Sequence, residues 1–161
     1  MGVTGGGATP VAASGPAGGA GTAAASGEPE LLFYDGSCGL CHRAVRFVLW
    51  ADPSGRAFRF APLGGAAFEA AVPVGERGRL PDSLVVRTAD GALLVRSAAV
   101  VHLLRRLGGG WRVLAAALAA VPRPLRDLGY DLVARVRFRL FARPPDACPR
   151  VPPGLRDRFL A

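Results

Sequence analysis

The sequence predicts an α/β fold: a mixed four-stranded sheet covered by helices, with extra helices towards the C-terminal end. Three observations carry this. A short apolar strand runs straight into a C-x-x-C and an amphipathic helix. An Asp-Gly turn separates two further apolar runs, and strand and helix patterns follow one another up to Leu107.

The first strand is Glu30 to Asp35, a short apolar run ended by Asp-Gly, as in a buried strand. Ser37-Cys38-Gly39-Leu40-Cys41 opens a helix to about Ala51, on which Cys41, Val45 and Leu49 recur at i, i+4, i+8 beside Leu40, Ala44 and Val48. Asp52-Pro53-Ser54-Gly55 closes it. A second strand is expected over Ala57 to Ala61, then a weak helix from Gly64 to Ala71 and a loop through Pro81. Ser83 to Thr88 and Ala92 to Val95 flank Ala89-Asp90-Gly91 and read as a hairpin. Ser97 is expected to cap a helix that Gly108-Gly109-Gly110 ends. Trp111 to Val121, a Pro-Arg-Pro break and a helix from about Leu125 to Phe141 complete the pattern, before a Pro-rich tail. Strand, helix, strand, helix, hairpin, helix is the order of the thioredoxin fold.

Composition sets the domain organisation. Residues 1–27 are almost all Gly, Ala, Ser, Thr, Pro and Val without charge or aromatic ring, and are expected to be a disordered leader. Residues 28–149 are expected to form one domain that includes the C-terminal helical extension, and residues 150–161 a tail. Gly and Pro interrupt every apolar run of the leader, so it does not read as a secretory signal and a cytoplasmic location is expected. The longest later apolar run, Val113 to Val121, falls far short of the roughly 20 residues of a membrane-spanning helix.

The net charge of +8 lies wholly in the last third: eight Arg face eight Asp and Glu up to His102, whereas twelve Arg face four Asp beyond it. Lys, Asn, Gln and Ile are absent, the mark of a GC-biased coding source that supplies Arg freely. The basic excess therefore reads as a solvated face, with an anionic membrane surface or an acidic partner as alternatives; no nucleic acid is expected as a partner.

Position makes the C-x-x-C informative. Cys38 stands at a helix N-terminus, where free backbone N–H groups and the helix dipole favour a negative charge, so it is the expected nucleophile. Cys41, one turn on and on the apolar face, is expected to be the less exposed, resolving thiol. Two other chemistries use similar strings. Cys38 to His42 spells the attachment motif of c-type haem, but that needs an exported chain and usually a second axial ligand; Met1 is the only Met and His102 the only other His. Zinc held by Cys38, Cys41, His42 and Cys148 suits the donor types, yet adjacent Cys41 and His42 do not make the usual second ligand pair. No metal and no cofactor beyond the dithiol are expected.

Asp35, His42, Pro81 and Arg137 are supporting candidates, and Cys148 is a possible third thiol. Asp35 either accepts the backbone N–H groups of its turn or relays a proton of the resolving thiol. His42 either adds positive character or faces solvent. Arg137 falls on the apolar side of the last helix near Tyr130 and Val133, where its guanidinium needs an anion or carbonyls unless it snorkels out. Cys148 is either a third redox thiol or incidental.

Tyr34-Asp35-Gly36-Ser37-Cys38-Gly39-Leu40-Cys41 resembles the opening motif of the DCC family of predicted thiol-disulfide oxidoreductases. Asp82-Ser83, Asp90-Gly91, Arg96-Ser97-Ala98-Ala99, Tyr130 through Phe141 and Cys148 resemble its later blocks. The resemblance implies a thioredoxin-like fold and protein-disulfide reductase activity on protein or small-molecule thiol and disulfide substrates. Val136, Phe138 and Ala142 depart from the family's common Asn, Tyr and Gly. Thioredoxins carry a cis-proline facing the cysteines; Pro81 lies near that place and is a candidate substrate-contacting turn. Against the enzyme stands a non-catalytic binding module that docks through a basic C-terminal helix.

Overall fold

A computed structural model of the chain describes residues 28–81, 83–140 and 153–161, of 137–140 the backbone alone. The expected leader, Asp82, Phe141 and Cys148 lie outside the described residues, as does the side chain of Arg137. Strands β1 (Glu30–Tyr34), β2 (Phe58–Pro62), β3 (Val85–Arg87) and β4 (Leu93–Val95) make one sheet in the order β2-β1-β3-β4. β1 runs parallel to β2, with Leu32 opposite Phe60, and antiparallel to β3, with Phe33 opposite Val85; β3 and β4 form the expected hairpin. This is the thioredoxin-like arrangement.

Both faces of the sheet are covered, which is why β1 reads as an unbroken apolar run from Leu31 to Tyr34, while Arg59 interrupts β2 at an exposed position. Leu32 and Tyr34 of β1, Phe58 and Phe60 of β2 and Val86 of β3 point to one side. There they meet Cys41, Val45 and Val48 of helix α1 (Gly39–Ala51) and Val101 and Leu104 of helix α4 (Arg96–Leu107). Phe33, Ala61 and Val85 point to the other side, against Phe68 and Val72 at helix α2 (Ala66–Ala71). Phe33 and Phe68 meet edge to face at 5.2 Å. Between α2 and the hairpin, the stretch expected as loop carries one helical turn, α3 (Val74–Arg77).

Helix α4 begins two residues earlier than the capping argument expects. β4 passes into it without a linker, the N-cap is Val95, and Arg96 makes the turn in the left-handed region at φ 53°. Ser97 is thereby inside the helix and buried, and its hydroxyl donates instead to Asp127, thirty residues on. Asp127 belongs to helix α6 (Arg123–Leu140), which follows helix α5 (Trp111–Ala120); both pack on α4. Gly108, at φ 76°, ends α4 as expected. No helix among the described residues is long and apolar enough to cross a membrane.

The stretch read as a tail is docked. After a 3-10 helix at Pro153–Arg158, Phe159 bridges Phe60 in parallel, its ring stacked on Phe60 at 5.1 Å. The N–H of Leu160 donates to the Phe60 carbonyl at 2.8 Å, so the free edge of β2 is covered. Arg158 anchors this return. It is buried and donates to the Asp52 carbonyl (2.8 Å), Asp52 Oδ2 (3.0 Å) and the Phe58 carbonyl (3.2 Å). Burial pushes its guanidinium below its ordinary range, and Asp52 opposes that shift.

Candidate active site

The cysteines sit where β1 hands the chain to α1. Asp35 ends the strand, and its Oδ1 accepts the Ser37 N–H at 2.8 Å and the Ser37 hydroxyl at 2.7 Å; its carbonyl accepts the Cys38 N–H at 3.2 Å. Of the two roles open to Asp35, these bonds are those of the turn. The turn delivers Cys38 as the N-cap of α1, in extended conformation, with its Sγ accepting the Cys41 N–H at 3.4 Å. A sulfur takes the place of the usual Ser or Asp oxygen at a helix start. One otherwise unmatched N–H and the positive end of a 13-residue helix therefore face Cys38.

Both thiols are buried. The expectation that Cys41 is the more enclosed is reversed, since Cys38 is 1 % exposed and Cys41 5 %. Cys38 Sγ folds back over the first turn of α1, while Cys41 projects from the apolar face into a cavity of about 540 Å³. Leu40 and Ala44 of α1, Leu84 before β3, Val101 of α4 and Tyr130 and Val133 of α6 are among its walls. Sequence periodicity placed Tyr130 and Val133 on an apolar helix side but could not say that this side faces Cys41.

His42 does not face open solvent. It is half-buried, its Nε2 lies 2.9 Å from the Gly36 carbonyl, and its ring meets Tyr34 edge-on at 6.1 Å. A carbonyl only accepts, so Nε2 carries the hydrogen and the imidazole ties α1 back to the turn before Cys38. Pro81 is half-buried and its carbonyl accepts the Ser83 N–H at 2.7 Å. No cis peptide occurs among the described residues, so Pro81 is not a cis-proline. From this segment it is Leu84 that joins the core cluster of the two cysteines.

At the other end of β1 lies a charged cluster that sequence reading did not pick out. Glu30 is buried, and its Oε2 accepts from His102 Nε2 at 2.7 Å while Arg106 Nε stands 3.6 Å from Oε1. The signal was a Glu at the head of an apolar strand and a His within an apolar helix; only the fold brings them together.

A parallel β-α-β unit and a hairpin in one sheet, with a C-x-x-C at the head of the first helix, define a thioredoxin-like dithiol domain. Residues 32–143 match the family described as DCC1-like thiol-disulfide oxidoreductase, and the chain belongs to that family. It is 33 % identical over 135 residues to the "Uncharacterized protein YuxK" of Bacillus subtilis, covering 81 % of this chain and 93 % of that one. It is 31 % identical over 120 residues to a chloroplastic DCC family protein of Arabidopsis thaliana, At1g52590, covering 73 % of this chain and 67 % of that one. No solved structure matches the chain.

Proposed function

We propose that the protein is a thiol-disulfide oxidoreductase of the protein-disulfide reductase type, with Cys38 as nucleophile and Cys41 as resolving thiol. The observation that carries this is the seat of Cys38 Sγ at the N-cap of α1, where the Cys41 N–H reaches it. The thiolate of Cys38 attacks one sulfur of a substrate disulfide; a Cys38–substrate bond forms, the substrate S–S bond breaks, and the other sulfur leaves as a thiolate that takes a proton. Cys41, having lost its proton, then attacks Cys38 Sγ. The Cys38–Cys41 disulfide forms, the mixed disulfide breaks, and the substrate leaves with two thiols and two electrons. A second dithiol must reduce the pair for another turnover, a supply that a cytoplasmic location provides.

Asp35, Ser37 and His42 are positioning residues in this scheme, because each fixes the turn that presents Cys38. Arg137 and Cys148 are kept as candidates for a cation near the pair and for a third thiol. The chemistry needs no cofactor beyond the dithiol, and elemental analysis and a visible spectrum should find neither zinc nor haem in stoichiometric amount.

The test is a pair of variants assayed on a protein disulfide. Cys38→Ser should abolish reduction. Cys41→Ser should accumulate a mixed disulfide at Cys38, read by mass, and turn over at background rate. Full turnover in Cys41→Ser rules out the dithiol mechanism, and a mixed disulfide on Cys41 in Cys38→Ser reverses the two roles.

A further inference from the structure

Helix α5 is an anomaly on the outside of this domain. It has ten residues, Arg112 is its single polar side chain, and five of its six exposed residues are apolar. Only Ala115 is fully enclosed. A helix that is apolar all round belongs in a core or in lipid, yet Val113 is 73 % exposed. Further along the chain, Val121 is exposed, as are Leu125, Leu128 and Leu132 on one stripe of α6. Apolar helix faces exposed in this way mark an interaction site.

Charge decides what the surface fits. From Gly91 to Arg126 there are six Arg and no Asp or Glu, and Arg112 and Arg123 are exposed beside the apolar residues; the two acids further along α6, Asp127 and Asp131, are engaged by the Ser97 hydroxyl and by Arg96 at 3.6 Å. A second copy of the same surface would set guanidinium against guanidinium. Nucleic acid would need cations along the middle of the surface, where Val, Ala and Leu stand. An apolar centre with a cationic edge suits the boundary between acyl chains and anionic headgroups. An aromatic anchor stands at the start of α5: Trp50 is 73 % exposed, with its ring 6.2 Å from Trp111, and amphipathic indoles prefer the headgroup level. At ten residues α5 is about 15 Å long, half the hydrocarbon thickness, so it lies on a bilayer and does not cross it.

We propose that the exposed apolar surface of α5 and the start of α6, edged by Arg112 and Arg123, docks this domain on an anionic lipid bilayer. The dithiol reading is not needed for it.

The full chain mixed with vesicles of phosphatidylcholine, alone or with phosphatidylglycerol, tests this directly. Co-sedimentation is expected with the anionic vesicles, weakening as salt is raised. Trp50 and Trp111, the two tryptophans of the chain, should shift their emission to the blue on binding. Leu128→Glu/Leu132→Glu, at exposed positions with an unchanged melting curve expected, should reduce binding to background. Arg112→Gln/Arg123→Gln should lower partitioning roughly 25-fold, the loss of two cationic contacts with an anionic surface. Three results overturn the proposal: no binding to anionic vesicles, a Leu128→Glu/Leu132→Glu chain that still binds, or a self-associated wild type that this pair of substitutions turns into monomer. Activity on a soluble disulfide should be the same in these variants, which separates this surface from the cysteine site.

Discussion

Replacing Arg158 with Met tests how far the last residues belong to the domain. Met keeps an apolar stem of similar reach but removes the guanidinium, whose three hydrogen bonds reach Asp52 and Phe58 and whose charge lies 5.2 Å from the Phe60 ring centre. The side chains of Arg158 and Asp52 are 10 % and 7 % exposed, so the substitution leaves a buried carboxylate without its cation. Breaking such a pair from one side costs about 3–5 kcal/mol. Asp52 keeps two partners, the Ala57 N–H at 2.9 Å and the Ser54 hydroxyl at 2.8 Å, which places the expected loss near the lower end, at about 3 kcal/mol. Urea unfolding followed by circular dichroism measures it, with an unchanged slope showing that the folded core is the same. Arg158→Met/Asp52→Asn should recover part of the loss, because the stranded charge is then gone. A loss below about 1 kcal/mol, or a double variant no better than the single, refutes the view that a buried ion pair fastens this segment to β2.

Asp35→Asn should retain turnover, since an amide oxygen accepts the two Ser37 bonds as well as a carboxylate does, whereas Asp35→Ala should slow it; loss of activity in Asp35→Asn would mean that Asp35 carries protons. The Ser97 hydroxyl holds the Asp127 carboxyl below the usual aspartate range, so this contact contributes stability in full above the ordinary value of about 3.9 and loses it as pH falls through the lower folded value. Ser97→Ala should therefore lower the melting temperature at neutral pH and flatten the acid limb of stability against pH. An identical acid limb in both proteins would separate Asp127 from acid unfolding.

The dithiol turn was legible in the sequence because everything that shapes it is local. Asp35, Ser37, Cys38 and Cys41 fall within seven positions, their bonds span two or three residues, and strand-to-helix punctuation fixes where they sit. The mixed four-stranded sheet was equally legible, since apolar runs on either side of a helix and an Asp-Gly hairpin supply its four strands. The relative burial of the two thiols was not. It depends on Cys38 Sγ turning back to the Cys41 N–H and on a cavity whose far wall is ninety residues away, at Tyr130 and Val133.

Ser97 shows the same division. Its residue type and place before an apolar run fit an N-cap, yet β4 leads into α4 so abruptly that Arg96 takes the turn and the hydroxyl goes to Asp127. The covering of β2 by Phe159 and Leu160 rests on an ion pair 106 residues apart, and the Glu30–His102 contact spans 72. Periodicity and turn chemistry are written in neighbouring residues, so the sequence by itself determined most of the elements, the mixed four-stranded sheet and the local shape of the cysteine turn. Which buried charges meet, what walls the cavity behind Cys41 and which helix face is left bare are settled by contacts between distant segments, and only the tertiary structure decided them.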